Sequence, residues 1–293
     1  MKTIFALSLA ALATELCSAH YTFDKLFVND VAKGSANTYI RKHQNGYMPT
    51  KFKNAPSGSI SPTNADFTCN KGSPPQRLRS SFGATGMMHP GPVQVYVTPV
   101  TNAASGAPPA GPWYKVYQAL LCKAGAANTL QATAWCSWGE DKISFPIPAT
   151  LPNGQYLARA EHIATHGGHV GKAEFCYACA QIQVTGTTAS SIPGSNAQIP
   201  GVYAQSDSAV NFSVWGRSTS FDATPGPAVI AGGTIRGSPS GAGGDKSVTV
   251  AAARTSTSSV APAPPAAPAS SYSSVAPAAS STPAKQPPTC GGN

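Results

Sequence analysis

The sequence predicts an all-β domain, two packed sheets closed face to face as a sandwich with long loops, followed by a disordered tail. Three observations carry that expectation. Glycine and proline are abundant, at 28 and 27 of 293 residues, and strong helical periodicity is scarce. Several short runs alternate apolar and polar residues, the pattern of strands with one face buried. Turns such as Leu151-Pro152-Asn153-Gly154 separate those runs.

Taken in order, residues 1–19 read as a secretory signal peptide: one lysine, an apolar run, then Cys17 and Ala19 at the small-residue positions of a cleavage site. The apolar run is too short and too poorly flanked to span a bilayer. Cleavage after Ala19 leaves His20 as the first mature residue. The strand candidates are Gly91–Val100, Trp113–Leu121, Lys142–Pro148, Gln155–Thr165, Ala180–Gly186 and Asn211–Gly216. Two packed sheets are the simplest closure for them. Composition changes at Gly232, where the chain becomes Ser, Ala, Pro, Gly and Thr with almost nothing to bury. Residues 20–231 are therefore expected to be globular. Residues 232–293 are expected to form a disordered, O-glycosylated stalk without a membrane anchor.

A secreted chain directs its cysteines first to disulfides. Seven cysteines occur; with Cys17 lost in the leader, Cys69, Cys122, Cys136, Cys176, Cys179 and Cys290 remain. The net charge of +9 comes with few charges of either sign, and no Lys/Arg cluster is interleaved with aromatics. Nucleic acid is excluded as a partner, and so is a membrane.

Three groups of residues can carry chemistry. A terminal histidine at His20 would offer its amine and its ring to one metal ion. The α-amino group titrates near pH ~8, so a metal displaces its proton at neutral pH. A second histidine would complete a three-nitrogen set, which suits copper(II) better than zinc. His89, on the rigid turn His89-Pro90-Gly91-Pro92 ahead of a strong strand, can project from one end of the sandwich. The third group runs from Arg159 to Val184 and holds His162, His166, His169, Glu174, Cys176, Tyr177 and Cys179. His162 and His166 do not make a zinc helix, because the surrounding residues read as a strand. The Cys176-x-x-Cys179 spacing allows a redox pair, although a disulfide from Cys179 to Cys69 or another cysteine suits a secreted β domain better. His43 and His169 read as surface loop histidines.

The stretches HYTF, HPGPVQVY, GPWYKVYQ, IPATLPNGQYLARAEHIATH, ACAQIQVTG, IPGVY and TPGPAVIAG, in that order, resemble the fungal lytic polysaccharide monooxygenases of auxiliary activity family 9, once classed as glycoside hydrolase family 61. The resemblance implies an immunoglobulin-like β-sandwich presenting a flat face around one copper ion. It implies oxidative cleavage of β-1,4-glucan, mainly cellulose, at C1 and/or C4. The co-substrate is O2 or H2O2, and electrons come from an external donor such as a small phenol or a secreted dehydrogenase. By matching motif, His20 (amine and ring) and His89 would hold the copper, His166 would position the oxygen species, and Glu174 stands where the family has Gln or Glu. Cys69–Cys179 would tie an early loop to the core; spacing alone suggests Cys122–Cys136. Tyr21 and Phe221 are candidate sugar-stacking rings, and a monomer is expected. Asn211-Phe212-Ser213 is an N-glycosylation sequon.

Two departures matter. The family pattern puts a tyrosine, the axial copper ligand, where this chain has Cys176, with Tyr177 one place later. Either Cys176 sits beside the copper, or a bulge restores Tyr177. The passage from Cys69 to His89 is also short and strand-poor, where the family usually carries a further strand. These departures sustain a second reading, a secreted copper-binding protein with little or no oxidase chemistry. A third, a carbohydrate-binding sandwich without metal, applies if the leader is cut elsewhere. The tail resembles a linker to a cellulose-binding module, but no complete module follows it.

Overall fold

The computed structural model of the protein describes residues 21–73, 86–105, 107–126, 128–244 and 247–251. The leader, His20, residues 74–85 of the short Cys69–His89 passage, Cys290 and the rest of the chain beyond 251 lie outside the described residues.

The chain is an all-β sandwich. Its strands are β1 (Phe27–Val28), β2 (Val31–Ala32), β3 (Val93–Val100), β4 (Trp113–Ala119), β5 (Gly154–Ala164), β6 (Glu174–Val184), β7 (Asn196–Ala197), β8 (Thr234–Arg236) and β9 (Ser247–Thr249). β1 and β2 form a small hairpin whose turn residues Asn29 and Asp30 both have positive φ, as a two-residue primed turn requires. The main sheet runs β6-β5-β3-β4-β8-β9, with β7 also paired to β4. Only β4–β8 is parallel among these pairings.

β5 and β3, with β6 beside them at the end of the strand order, have both faces buried. On one face Val93, Val95, Val97, Ala158, Ala160 and Ala178 pack under Tyr21, Phe23, Ile40 and Met87. On the other, Tyr96, Leu157, Ile163, Phe175 and Tyr177 pack against Phe67, Trp113, Ile199 and Tyr203. Each fully buried valine or leucine contributes about 1.5–3 kcal/mol. The second face also buries an ion pair, Arg159 Nη1 to Glu161 Oε2 at 2.7 Å. Its charges are matched by further bonds: Arg159 Nε donates to the Thr68 carbonyl at 3.0 Å, and the Tyr203 hydroxyl donates to Glu161 Oε1 at 2.6 Å. Two disulfides, Cys69–Cys179 and Cys122–Cys136, close loops of 110 and 14 residues.

Several sequence expectations are corrected here. Lys142–Pro148 is irregular chain, because Pro146 and Pro148 cannot donate to a ladder; Ile143 and Phe145 still pack on the core. Asn211–Gly216 is a turn, with the Asn211 N–H bonded to the Asp207 carbonyl at 2.7 Å. β6 starts at Glu174, six residues before the predicted Ala180. The composition boundary at 231 falls short of the sheet, which β8 and β9 extend. Among the described residues no helix is long and apolar enough to cross a membrane.

Candidate metal centre

Three neighbouring chain segments meet at one end of the central sheet: the turn before β3, the exit of β5 and the start of β6. The first carries His89. Its backbone is sewn to the end of β5 by Ile163 N–H to Pro92 O at 3.0 Å and Thr165 N–H to Pro90 O at 2.8 Å. The Thr165 hydroxyl adds a bond to the Pro90 carbonyl at 3.1 Å. Between them Gly91 comes so close that a Cβ would stand 1.8 Å from the Ile163 carbonyl oxygen. Glycine is needed there for approach as well as for its φ of 153°. His166 follows Thr165, and Gly168 after it passes under the carbonyls of Val210 and Phe212, where a Cβ would lie 2.6 and 2.7 Å away.

These constraints bring the His89 and His166 rings into a stack, with centroids 4.6 Å apart and planes 21° from parallel. Glu174, the first residue of β6, faces both: Oε2 lies 3.8 Å from His89 Nε2 and Oε1 lies 3.7 Å from His166 Nε2. Lys51 Nζ sits 2.5 Å from Glu174 Oε1. Burial pushes the Glu174 carboxyl up, but the Lys51 hydrogen bond and the neighbouring His166, Lys51 and His89 charges outweigh it, so the group titrates below its ordinary range. The carboxylate is nearly enclosed, whereas His166 keeps a third of its side chain open to solvent. Trp215, 57% exposed, donates its indole N–H to the His166 carbonyl at 2.6 Å, and Met88 beside His89 is also exposed.

The register of β5 and β6 decides the question of the axial position. Pairing runs unbroken from Gly154↔Val184 to Ala164↔Glu174, with no bulge. Glu174, Cys176 and Ala178 therefore share one face, and Phe175, Tyr177 and Cys179 the other. Tyr177 is no ligand candidate: its hydroxyl pairs with Thr50 Oγ1 at 3.1 Å, and its ring lies 4.3 Å from the Arg159 guanidinium carbon. Cys176 stands on the Glu174 face, buried and outside either disulfide.

Tyr21 is also not a surface ring. It is buried, with its hydroxyl bonded to His162 Nδ1, and its ring centroid is 6.3 Å from that of His89. His162 Nε2 contacts the Gly91 carbonyl at 3.2 Å. Burial, with His89 nearby, pushes the His162 imidazole down to about 3, so it is neutral. Phe221 is fully buried, edge-on to Trp135 at 5.1 Å and to Phe212 at 4.9 Å. His43 is half-buried, and burial pushes it down to about 4. His169 is exposed on the short turn Gly168–Val170, and Asn211 is exposed on its own turn. Lys51 and Trp215 escape sequence reasoning. A lone lysine carries no signal, and Trp215 sits in a run that reads as a strand.

Among the described residues no three His, Cys, Asp or Glu side chains close on a metal-sized point. His20 lies outside those residues. The donor chemistry nevertheless suits copper: two imidazoles stand at an open sheet end, with a carboxylate already paired to Lys51 rather than competing as a charged ligand.

Residues 20–222 match the sequence profile of Auxiliary Activity family 9, formerly GH61. The chain is 38% identical over 242 residues to AA9 family lytic polysaccharide monooxygenase D of Emericella nidulans, covering 77% of this chain and 82% of that protein. It is 38% identical over 240 residues to AA9 family lytic polysaccharide monooxygenase A of Aspergillus fumigatus, covering 76% and 80%. Among solved structures, a cellulose-active polysaccharide monooxygenase from M. thermophila superposes with a TM-score of 0.58 at 24% identity, covering 73% of this chain and all of that one. At that identity the likeness speaks for the fold. The matched span and the shared identity decide the matter: the chain belongs to auxiliary activity family 9, the copper-dependent lytic polysaccharide monooxygenases.

Proposed function

We propose that the protein is a secreted monooxygenase that cleaves β-1,4-glucan, cellulose above all, by oxidation at C1 and/or C4. The observation that carries this reading is the stacked His89–His166 pair over Glu174, at the end of a sheet whose chain belongs to this family. His89, with the amine and ring of a processed His20, would hold one copper ion. When bound, copper supplies the one-electron chemistry with O2 or H2O2 that an unactivated C–H bond requires and no side chain offers. His166 offers Nε2 toward the same opening and can hand over or hold a proton there. Glu174, kept ionised by Lys51, accepts hydrogen bonds from groups on the two imidazoles' side of the site. Trp215, anchored through its N–H to the His166 backbone with its ring exposed, offers a platform for a sugar ring beside the chemistry. Electrons come from an external donor, a small phenol or a secreted dehydrogenase. The chain acts as a monomer, with 1–19 removed as a leader and the tail serving as a linker.

One observation favours the second reading, copper binding with weak oxidase activity. The face that should present a tyrosine hydroxyl presents the shorter Cys176. Copper-loaded secreted protein tests both readings. A mass beginning at His20, one copper per chain with an axial type-2 EPR signal, and oxidised oligosaccharides from cellulose with ascorbate support the monooxygenase. Stoichiometric copper without oxidised products selects the second reading. A mature terminus elsewhere with no copper bound removes both.

A further inference from the structure

Next to the His89 ring lies a cluster that this reading does not use. Cys176 of β6 and His162 of β5 are direct register partners on one face. The Tyr21 hydroxyl is bonded to His162 Nδ1, and Cys176 shares the same buried cluster, near enough for thiol and phenol to act on one another electrostatically. All three residues are buried. The contact of His162 Nε2 with the Gly91 carbonyl assigns the ring proton to Nε2, which leaves Nδ1 to accept the phenol proton. Tyr21 therefore has its proton acceptor in place, a thiol beside it in the same buried cluster, and a ring 6.3 Å from that of His89. Cys176 is the free cysteine among the described residues.

We infer that Tyr21 and Cys176 become joined by a thioether between Sγ and the ring carbon ortho to the hydroxyl, formed by the protein's own copper site with dioxygen. The inference rests on the copper reading above. Phenols and thiols are the side chains most readily oxidised by one electron, and here both lie in one buried cluster next to the His89 ring. One electron leaves the Tyr21 ring as its hydroxyl proton passes to His162 Nδ1. A second leaves the thiol as its S–H bond breaks. Sulfur then bonds to the ortho carbon. That carbon loses its hydrogen as a proton when aromaticity returns, and His162 gives the hydroxyl its proton back. Two electrons and two protons in total pass to one dioxygen, which leaves as hydrogen peroxide. Burial excludes water and small thiols from the cluster, so coupling to the neighbouring ring is favoured over the oxygenated sulfur acids of an exposed cysteine. The link would pin the residue next to His20 to β6 and remove a thiol that copper would otherwise attack.

The test uses the full secreted chain, copper-stripped and then loaded with copper and ascorbate under air. Copper content, intact mass and alkylation of the denatured protein are measured before and after loading. The expected product is lighter by the mass of two hydrogen atoms and no longer alkylates at Cys176. After both disulfides are reduced and the chain is digested, the peptides bearing Tyr21 and Cys176 stay joined. Tyr21→Phe, which preserves the ring volume, should bind copper and keep its alkylatable thiol. A wild-type chain that binds one copper yet keeps a free Cys176 thiol, or gains oxygen on its sulfur instead, overturns the inference and leaves the copper reading standing. A chain that binds no copper overturns both.

Discussion

The carboxylate of Glu174 shows how much one residue's partners decide. Nearly enclosed, it faces two imidazoles and is held by Lys51 at hydrogen-bond distance. Removing the lysine takes a close cation away from a nearly enclosed carboxylate, whereas removing the carboxylate leaves an ammonium that can still reach water, since Lys51 is 18% exposed. Lys51→Met is therefore predicted to cost about 1–3 kcal/mol of copper-free stability, and Glu174→Gln less than about 1 kcal/mol. Urea titration above pH 6, where the depressed carboxyl is ionised, measures both; equal losses would show that the pair is a solvent-screened contact. Trp215→Ala is predicted to weaken adsorption to cellulose by about twofold to thirteenfold, the effect of losing about 0.5–1.5 kcal/mol of ring stacking, with copper affinity unchanged. A pull-down isotherm on insoluble cellulose decides it. At this scale the motifs pointed to residues that the fold brings together where their spacing is fixed, as for His89, His166 and Glu174. They failed where the meaning of a residue lies across the chain. Tyr21 and Phe221 look like surface rings until their buried partners are seen. Lys51 lies far from Glu174 in sequence, and Cys176 could be told from Tyr177 only by strand register.

Strands and crosslinks were legible in proportion to how strongly local chemistry specifies them. β3, β4 and β5 alternate cleanly or carry β-branched and aromatic runs, and their predicted limits lie close to those observed. The first half of β6 did not read as a strand. Both of its faces are buried, so the run Glu174-Phe175-Cys176-Tyr177-Ala178-Cys179 has no polar face to mark a period of two. β8 and β9 hide in glycine- and serine-rich chain that looks like tail. The two crosslinks differ in what they constrain. By loop closure, the 110-residue Cys69–Cys179 loop is predicted to contribute about 5 kcal/mol and the 14-residue Cys122–Cys136 loop about 3 kcal/mol. Paired Cys→Ala variants, compared by urea unfolding, should rank in that order; the reverse ranking would mean that local strain rather than chain entropy dominates. The Gly91 turn belongs here too. Gly91→Ala drives a Cβ into the Ile163 carbonyl and must displace the segment that carries His89. It is predicted to lower copper affinity at least tenfold while the described sheet still folds, read by copper titration with circular dichroism as the control.

For the whole molecule, the double-faced sheet concentrates titratable groups where water does not reach, and this makes acid the condition that should unfold it. The His162 imidazole is held at about 3 and that of His43 at about 4, both by burial, against 6.5 when unfolded. Between pH 6.5 and 4 the unfolded chain therefore binds more protons than the folded one, so stability falls as pH falls. For the two groups together the loss is about 3 kcal/mol between pH 6.5 and about pH 5, at about 1.4 kcal/mol per unit for each. Glu174 has the same sign lower down: its depressed carboxyl stabilises the fold above its ordinary range, and that contribution goes as the pH drops through its folded value. The chain already carries a net charge of +9, and acid adds to it, so self-repulsion would also destabilise. Salt separates the two causes. Repulsion between surface charges is screened within about 8 Å at physiological ionic strength and far more at 1 M, whereas a proton entering a buried imidazole is not. Urea midpoints of the copper-free chain, taken from pH 7 to pH 5 at low and high salt, should fall along the same slope in both. His43→Gln should remove about half of that slope and leave the His162 share in place. A slope that vanishes at high salt would place the acid sensitivity on the surface charge and not in the buried histidines.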